Sequence, residues 1–112
     1  MSRNVTVNIF AGVNFANDEA AEIFLEKLPE EYRTYDSREE AGIRDYEVFI
    51  VADEAVGFGI SVSKYDWNER AKPIDVIEFS DTILKAVNRL RKLFAEHSIT
   101  DEIKVFMAGD CC

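Results

Sequence analysis

Few residues in this chain have the types and spacing that covalent or metal chemistry needs. His97 is the only histidine, and the only cysteines are Cys111 and Cys112, which are adjacent at the C-terminus. With a single His at the end of a predicted helix and Cys only at the C-terminus, a Ser-His-Asp or Cys-His set and a tetrahedral zinc site each lack parts. We therefore predict no catalytic residues, no metal and no cofactor, and we do not expect an enzyme. His97 is expected to cap a helix.

The carboxylates are numerous, but their spacing favours a solvated surface over a metal site or an acid-base pair. Asp18, Glu22 and Glu26 recur at helical spacing on the side opposite Phe24 and Leu28. Adjacent carboxylates elsewhere point apart in regular structure, and the chain has no Asp-x-Asp-x-Asp-Gly calcium pattern.

Residues 65–70 have the composition of a protein-binding hot spot. They read Tyr-Asp-Trp-Asn-Glu-Arg and contain the only tryptophan. Tyr, Trp and Arg are enriched at such sites because they bury a large area for little lost entropy. The alternative is that Trp67 closes one end of the core. We predict a loop here whose Tyr65, Asp66, Trp67 and Glu69 contact a partner.

The net charge of −9 is concentrated in one half of the chain. Between Asp18 and Glu54 there are thirteen Asp or Glu and four Lys or Arg, whereas the remainder is neutral overall. A negative field repels nucleic acid and anionic membranes and speeds the encounter with basic proteins, although it also serves solubility. We predict a basic protein partner and no direct binding of nucleic acid or membrane. The partner-binding residues predicted in this half are Tyr32, Tyr35, Asp36, Glu39, Glu40 and Asp45.

The elements that must position these residues follow from the hydrophobic periodicity. Alternation predicts a first strand at 4–11, an antiparallel hairpin of strands at 46–52 and 57–65, and a last strand at 102–108. Helical spacing predicts one helix that Asn17 caps and Pro29 ends, and a longer one from between Asp75 and Ser80 to about His97. The order β-α-β-β-α-β is that of the split βαβ, ferredoxin-like arrangement. We predict one α+β domain over residues 1–112, with a four-stranded, mainly antiparallel sheet and two helices on one face.

Several details of this arrangement are also predicted. Residues 30–45 should form a long connection with one short helical turn at Ser37 to Ala41. The apolar run from Val48 to Val51 predicts a strand in the middle of the sheet. The small residues Gly59, Ser61 and Ser63 predict either exposure or the close approach of another group. Leu84 should belong to the buried stripe of the long helix, on which Lys85, Arg89 and Lys92 form an exposed line.

No apolar run reaches the roughly 20 residues that a membrane-spanning helix needs. The chain also enters its first strand without a secretory signal pattern. We therefore expect a cytoplasmic protein.

Within Val5 to Leu25 the chain contains the run Val-Asn-Ile-Phe-Ala-Gly-Val-Asn-Phe-Ala-Asn-Asp-Glu-Ala-Ala-Glu-Ile-Phe-Leu, a short strand, a glycine, an Asn-Phe turn and an acidic helix. In this pattern it resembles one family of bacterial immunity proteins, the Imm22 type. The resemblance implies an intracellular protein that binds and neutralises a toxin delivered by neighbouring cells. Many such toxins are basic nucleases, and an acidic inhibitor can occupy the cleft meant for phosphates.

Two other functions fit the same residues. One is a phage or plasmid inhibitor that mimics nucleic acid and blocks a host defence nuclease. The other is a small ligand-binding or regulatory domain of the ferredoxin-like type.

Overall fold

The computed structural model describes residues 5–43, 45–66 and 73–111. The strands are β1 (Val5–Asn14), β2 (Tyr46–Val51), β3 (Glu54–Asp66) and β4 (Lys104–Cys111), and the helices are α1 (Asp18–Glu26), α2 (Tyr35–Glu40) and α3 (Val76–Glu96). The four strands form one antiparallel sheet in the order β2-β3-β1-β4. A 3-10 turn spans Glu30–Tyr32. The predicted α+β class and four-stranded sheet are confirmed, and β3 lies between β1 and β2 as in the split βαβ arrangement.

The helices begin where the predicted capping residues stand. The Asn17 side chain accepts a hydrogen bond of 2.8 Å from the Ala20 amide at the start of α1. Asp75 accepts from the amides of Ile77 and Glu78 at 3.0 and 3.1 Å at the start of α3. Each cap satisfies backbone donors that have no partner within the helix. No helix among the described residues is both long and apolar enough to span a membrane.

Helices α1 and α3 pack on the same face of the sheet. Phe24 of α1 lies 5.7 Å, between ring centroids, from both Phe94 of α3 and Phe58 of β3. Leu90 of α3 is fully buried in the same cluster. Burial of each such side chain contributes roughly 1.5–3 kcal/mol, so this layer is the main source of stability.

A second aromatic cluster lies on the opposite, concave face of the sheet. Phe10 is 1% exposed and stacks on Phe49 at 4.0 Å, while Phe106 lies 5.5 Å away. The sheet curls around Phe10, so that its two edge strands approach each other. Strand β1 therefore buries side chains on both faces of the sheet.

Glycines at the centre of the sheet permit this curl. Gly12 pairs with Gly59, and a Cβ on either residue would overlap a backbone carbonyl oxygen of the other strand. A Cβ on Gly57 would lie 2.8 Å from the Phe10 ring. Of the two alternatives predicted for the small residues of β3, close approach holds at Gly59, where the approaching backbone belongs to β1.

Three predictions about the elements were wrong. Strand β2 is an edge strand, and its apolar run is explained by burial of Tyr46 toward the helices and of Phe49 on the concave face. Leu84 is 60% exposed, because it lies on a flank of α3 that no other element covers. The segment before β2 contains both a 3-10 turn and α2, which begins at Tyr35 and not at Ser37.

Candidate protein-binding surface

Residues 30–45, which we call the acidic segment, form a folded connection between α1 and β2. The Thr34 hydroxyl caps α2 by accepting from the Ser37 amide at 3.3 Å. Arg33 donates to the carbonyls of Glu26 and Leu28 at 3.4 and 3.3 Å. These bonds fix the segment against the end of α1.

Arg38 is the one buried charged residue among the described side chains, at 5% exposed. Its Nη1 donates to the Tyr32 carbonyl at 3.0 Å, and its own carbonyl accepts from the Ile43 amide at 2.9 Å. A hydrogen bond from a charged donor is stronger than a neutral one. Arg38 therefore holds the 3-10 turn and the end of α2 together from inside the segment.

The carboxylates of the acidic half point outward. Of the thirteen between Asp18 and Glu54, all but the half-buried Glu47 are exposed. Within the described residues, the only one of them in an ion pair is Asp45, at 3.2 Å from Arg89. Among the described residues, the negative charge of this half is therefore largely unpaired with cations.

An aromatic cluster joins the acidic segment to the core. The Tyr32 ring meets Tyr46 edge-on at 5.4 Å, and Tyr46 stacks on Phe58 at 6.1 Å. The Arg89 guanidinium carbon lies 5.2 Å from the centroid of the Tyr46 ring, within the range of a cation-π interaction. Arg89 thus holds both Tyr46 and Asp45 at the start of β2.

The environment of Tyr32 raises the pKa of its phenol above the ordinary 10.0. Burial is the largest cause, because it disfavours the charged phenolate. The neighbouring Tyr46, Glu31 and Glu96 raise the pKa further, whereas Arg89 lowers it. Tyr32 consequently stays a neutral hydrogen-bond donor at neutral pH.

A shallow cleft opens beside this cluster. Its volume is about 270 Å³, slightly below the roughly 300–1,000 Å³ typical of small-molecule sites. The lining residues are Tyr32, Tyr46, Arg89, Lys92, Leu93 and Glu96.

The structure brings together one of the two predicted groups of contact residues. Asp36, Glu39 and Glu40 are exposed on α2, and Asp45 follows in the same segment with Tyr32 half-buried beneath it. Tyr35 begins α2, but its side chain is not among those described.

The second predicted group does not form the expected loop within the described residues. Strand β3 continues to Asp66, so Tyr65 is a half-buried strand residue opposite Val7. Ile60 of β3 pairs with Tyr46, and Tyr65 lies five residues farther along β3, at a distance of about 16 Å from Ile60. Tyr65 is therefore remote from Tyr46. Trp67 and Glu69 lie outside the described residues.

Sequence reasoning missed Tyr46 and Arg38. In the sequence, nothing distinguishes Tyr46 from other strand residues. Only the folded structure shows that its ring contacts and supports Tyr32. Arg38 looked like one more surface charge, since nothing in its spacing indicates burial.

No group of three or more His, Cys, Asp or Glu within the described ranges is arranged to hold a metal ion.

The chain matches no family model, no curated protein and no solved structure.

Proposed function

We propose that this chain is a protein-binding inhibitor whose acidic surface occupies the cationic cleft of a basic partner. In its most concrete form the chain is an immunity protein, and the partner is a toxin whose cleft binds the phosphates of nucleic acid. The observation that supports the proposal is that twelve of the thirteen carboxylates between Asp18 and Glu54 are exposed, with one ion pair among them in the part of the chain that the structure describes.

A cationic protein surface is the partner that this charge distribution favours. Uncompensated carboxylates repel the phosphates of nucleic acid and of anionic lipid, and they raise the rate of association with positive surfaces. Exposed carboxylates also release fewer internal contacts when they bind, because they have no cation partner to lose.

The acidic segment is ordered enough to act as a rigid surface. Its helix α2 is capped, Arg38 bonds it from within, and Tyr32 packs on Tyr46. A surface that is already folded loses less entropy on binding. Asp36, Glu39 and Glu40 are therefore held in a fixed array and not on a disordered tail.

The resemblance within Val5 to Leu25 to the opening of an immunity-protein family supports the same function by a different argument. It identifies no contact residue. The choice of the acidic segment as the contact surface therefore depends on exposure and charge alone.

The test is a binding measurement with a partner captured from the native cell and then purified. The variant combines Asp36→Lys, Glu39→Lys and Glu40→Lys, which reverses the charge of α2. We expect the dissociation constant to rise at least about tenfold, equivalent to 1.4 kcal/mol, and the inhibition of the partner to weaken in parallel.

The matched control combines Glu78→Lys, Asp81→Lys and Glu102→Lys. It makes the same change in net charge at exposed positions outside the acidic half. An affinity that falls equally in both triple variants, or in neither, would overturn the proposal. Circular dichroism verifies that both variants keep the fold.

A further inference from the structure

Strand β4 forms an edge of the sheet with no partner strand on its outer side among the described residues. Val105 and Met107 are 45% and 74% exposed. They pair with Ala11 and Ile9 of β1, so they lie on the same face of the sheet as those residues. The helices cover this face only in part. An apolar edge strand with free backbone donors and acceptors is a template for another strand.

The sequence of β4 is complementary to itself in the antiparallel direction. Two copies paired about Met107 place Lys104 opposite Asp110, two residues of opposite charge, on both sides of the centre. The same register pairs Phe106 with Ala108 and Val105 with Gly109, a large residue with a small one each time. A Cβ added at Gly109 meets nothing within 4 Å, so there is room opposite Val105.

The other edge of the sheet is much less suited to a second copy. Glu47 lies on β2, Asp45 precedes it, and Asp53 and Glu54 follow it in the hairpin. Two copies meeting there would bring like charges together, which is destabilising. On β4, residues 104–109 carry one charge, Lys104, and the register about Met107 gives it an opposite partner.

From these observations we infer that the chain forms a symmetric dimer in which β4 pairs antiparallel with β4 of a second copy, centred on Met107. The two sheets join into one sheet of eight strands. Met107 of each copy then packs against Met107 of the other.

The first measurement is the mass in solution by light scattering over a range of concentrations. We expect twice the mass of the chain, and we expect the Met107→Lys variant to be a monomer because it places two like charges at the centre. The control is Ile50→Lys on β2, since Ile50 is 55% exposed and equally apolar. It should stay dimeric.

The second measurement tests the register by oxidation in a background of Cys111→Ser and Cys112→Ser. Met107→Cys should form a disulfide-linked dimer, because paired Cα atoms lie about 4.5–5.5 Å apart. Val105→Cys should not, since in this register the two copies of residue 105 are offset by about 13 Å along the strand. Adding Gly109→Cys to Val105→Cys should restore the cross-link.

Three results would overturn the inference. They are a wild-type monomer at millimolar concentration, a dimer that survives Met107→Lys, and a cross-link at Val105→Cys without one at Met107→Cys.

Discussion

At the scale of single residues, the acidic segment depends on two cationic side chains. Arg38 bonds the Tyr32 carbonyl from a buried position, and Arg89 holds Asp45 and Tyr46 from α3. The first contact is inside the segment, whereas the ion pair of Arg89 with Asp45 is exposed to solvent. The charged surface is therefore built on cations that serve the fold.

Replacing Arg38 by Met keeps the aliphatic stem and removes the donor to the Tyr32 carbonyl. We expect the free energy of unfolding to fall by about 1–3 kcal/mol, because a partly buried acceptor loses its partner. Urea denaturation measures the change. The exposed Arg91→Met on α3 is the control and should cost under about 1 kcal/mol. Equal losses in the two variants would show that Arg38 has no special structural role.

The raised pKa of Tyr32 makes stability depend on alkaline pH. Below about pH 10 both the folded and the unfolded chain keep the phenol proton, so Tyr32 adds no pH dependence. As the pH rises from the unfolded pKa through the raised folded pKa, the unfolded chain releases the proton first, and stability falls. We expect Tyr32→Phe to lose less stability over this window, measured as the urea midpoint against pH. Parallel curves for the two proteins would contradict this account.

Residue-level predictions from the sequence succeeded where the cause is local. Asn17 and Asp75 cap helices because their side chains reach amides two or three residues ahead. The burial of Arg38 and the support of Tyr32 by Tyr46 depend on pairing across the chain, which no local spacing encodes.

At the scale of elements, the curl of the sheet is the feature that the pattern of the strands did not predict. The alternation of β1 assigns its side chains to the two faces of the sheet. It does not show which of the two faces a curled sheet encloses. Phe10 is buried because the sheet bends at Gly12 of β1 and Gly59 of β3, which brings the edge strands β2 and β4 closer together on the side of Phe10. The same bend explains how the apolar strand β2 can lie at an edge.

Gly59→Ala tests this bend directly. A Cβ at this position would overlap the Ala11 carbonyl oxygen, and a backbone atom cannot rotate away. We expect a loss of more than about 3 kcal/mol, or failure to fold. Gly109→Ala is the control, because it is also in a strand and its Cβ would meet nothing within 4 Å. Thermal denaturation that ranks the two equally would exclude the proposed close approach.

At the scale of the whole molecule, two surfaces differ in chemistry, and we propose a different partner for each. The acidic half carries exposed carboxylates, for which we propose a cationic protein, and the nearly neutral β4 edge is an apolar strand, for which we propose a second copy. The sequence predicted the first from charge counts along the chain. The second required the strand order, since periodicity alone does not say which strand has a free edge.

The most direct test of the central claim is a map of the electrostatic potential near each backbone amide. Nuclear magnetic resonance relaxation by a cationic nitroxide, compared with an anionic nitroxide of matched size, provides it without any knowledge of the partner. We predict that the cationic probe is enriched over the anionic one most strongly at residues 30–43 and at α1, and least along β4. A ratio of the two probes that is uniform along the chain would contradict the account.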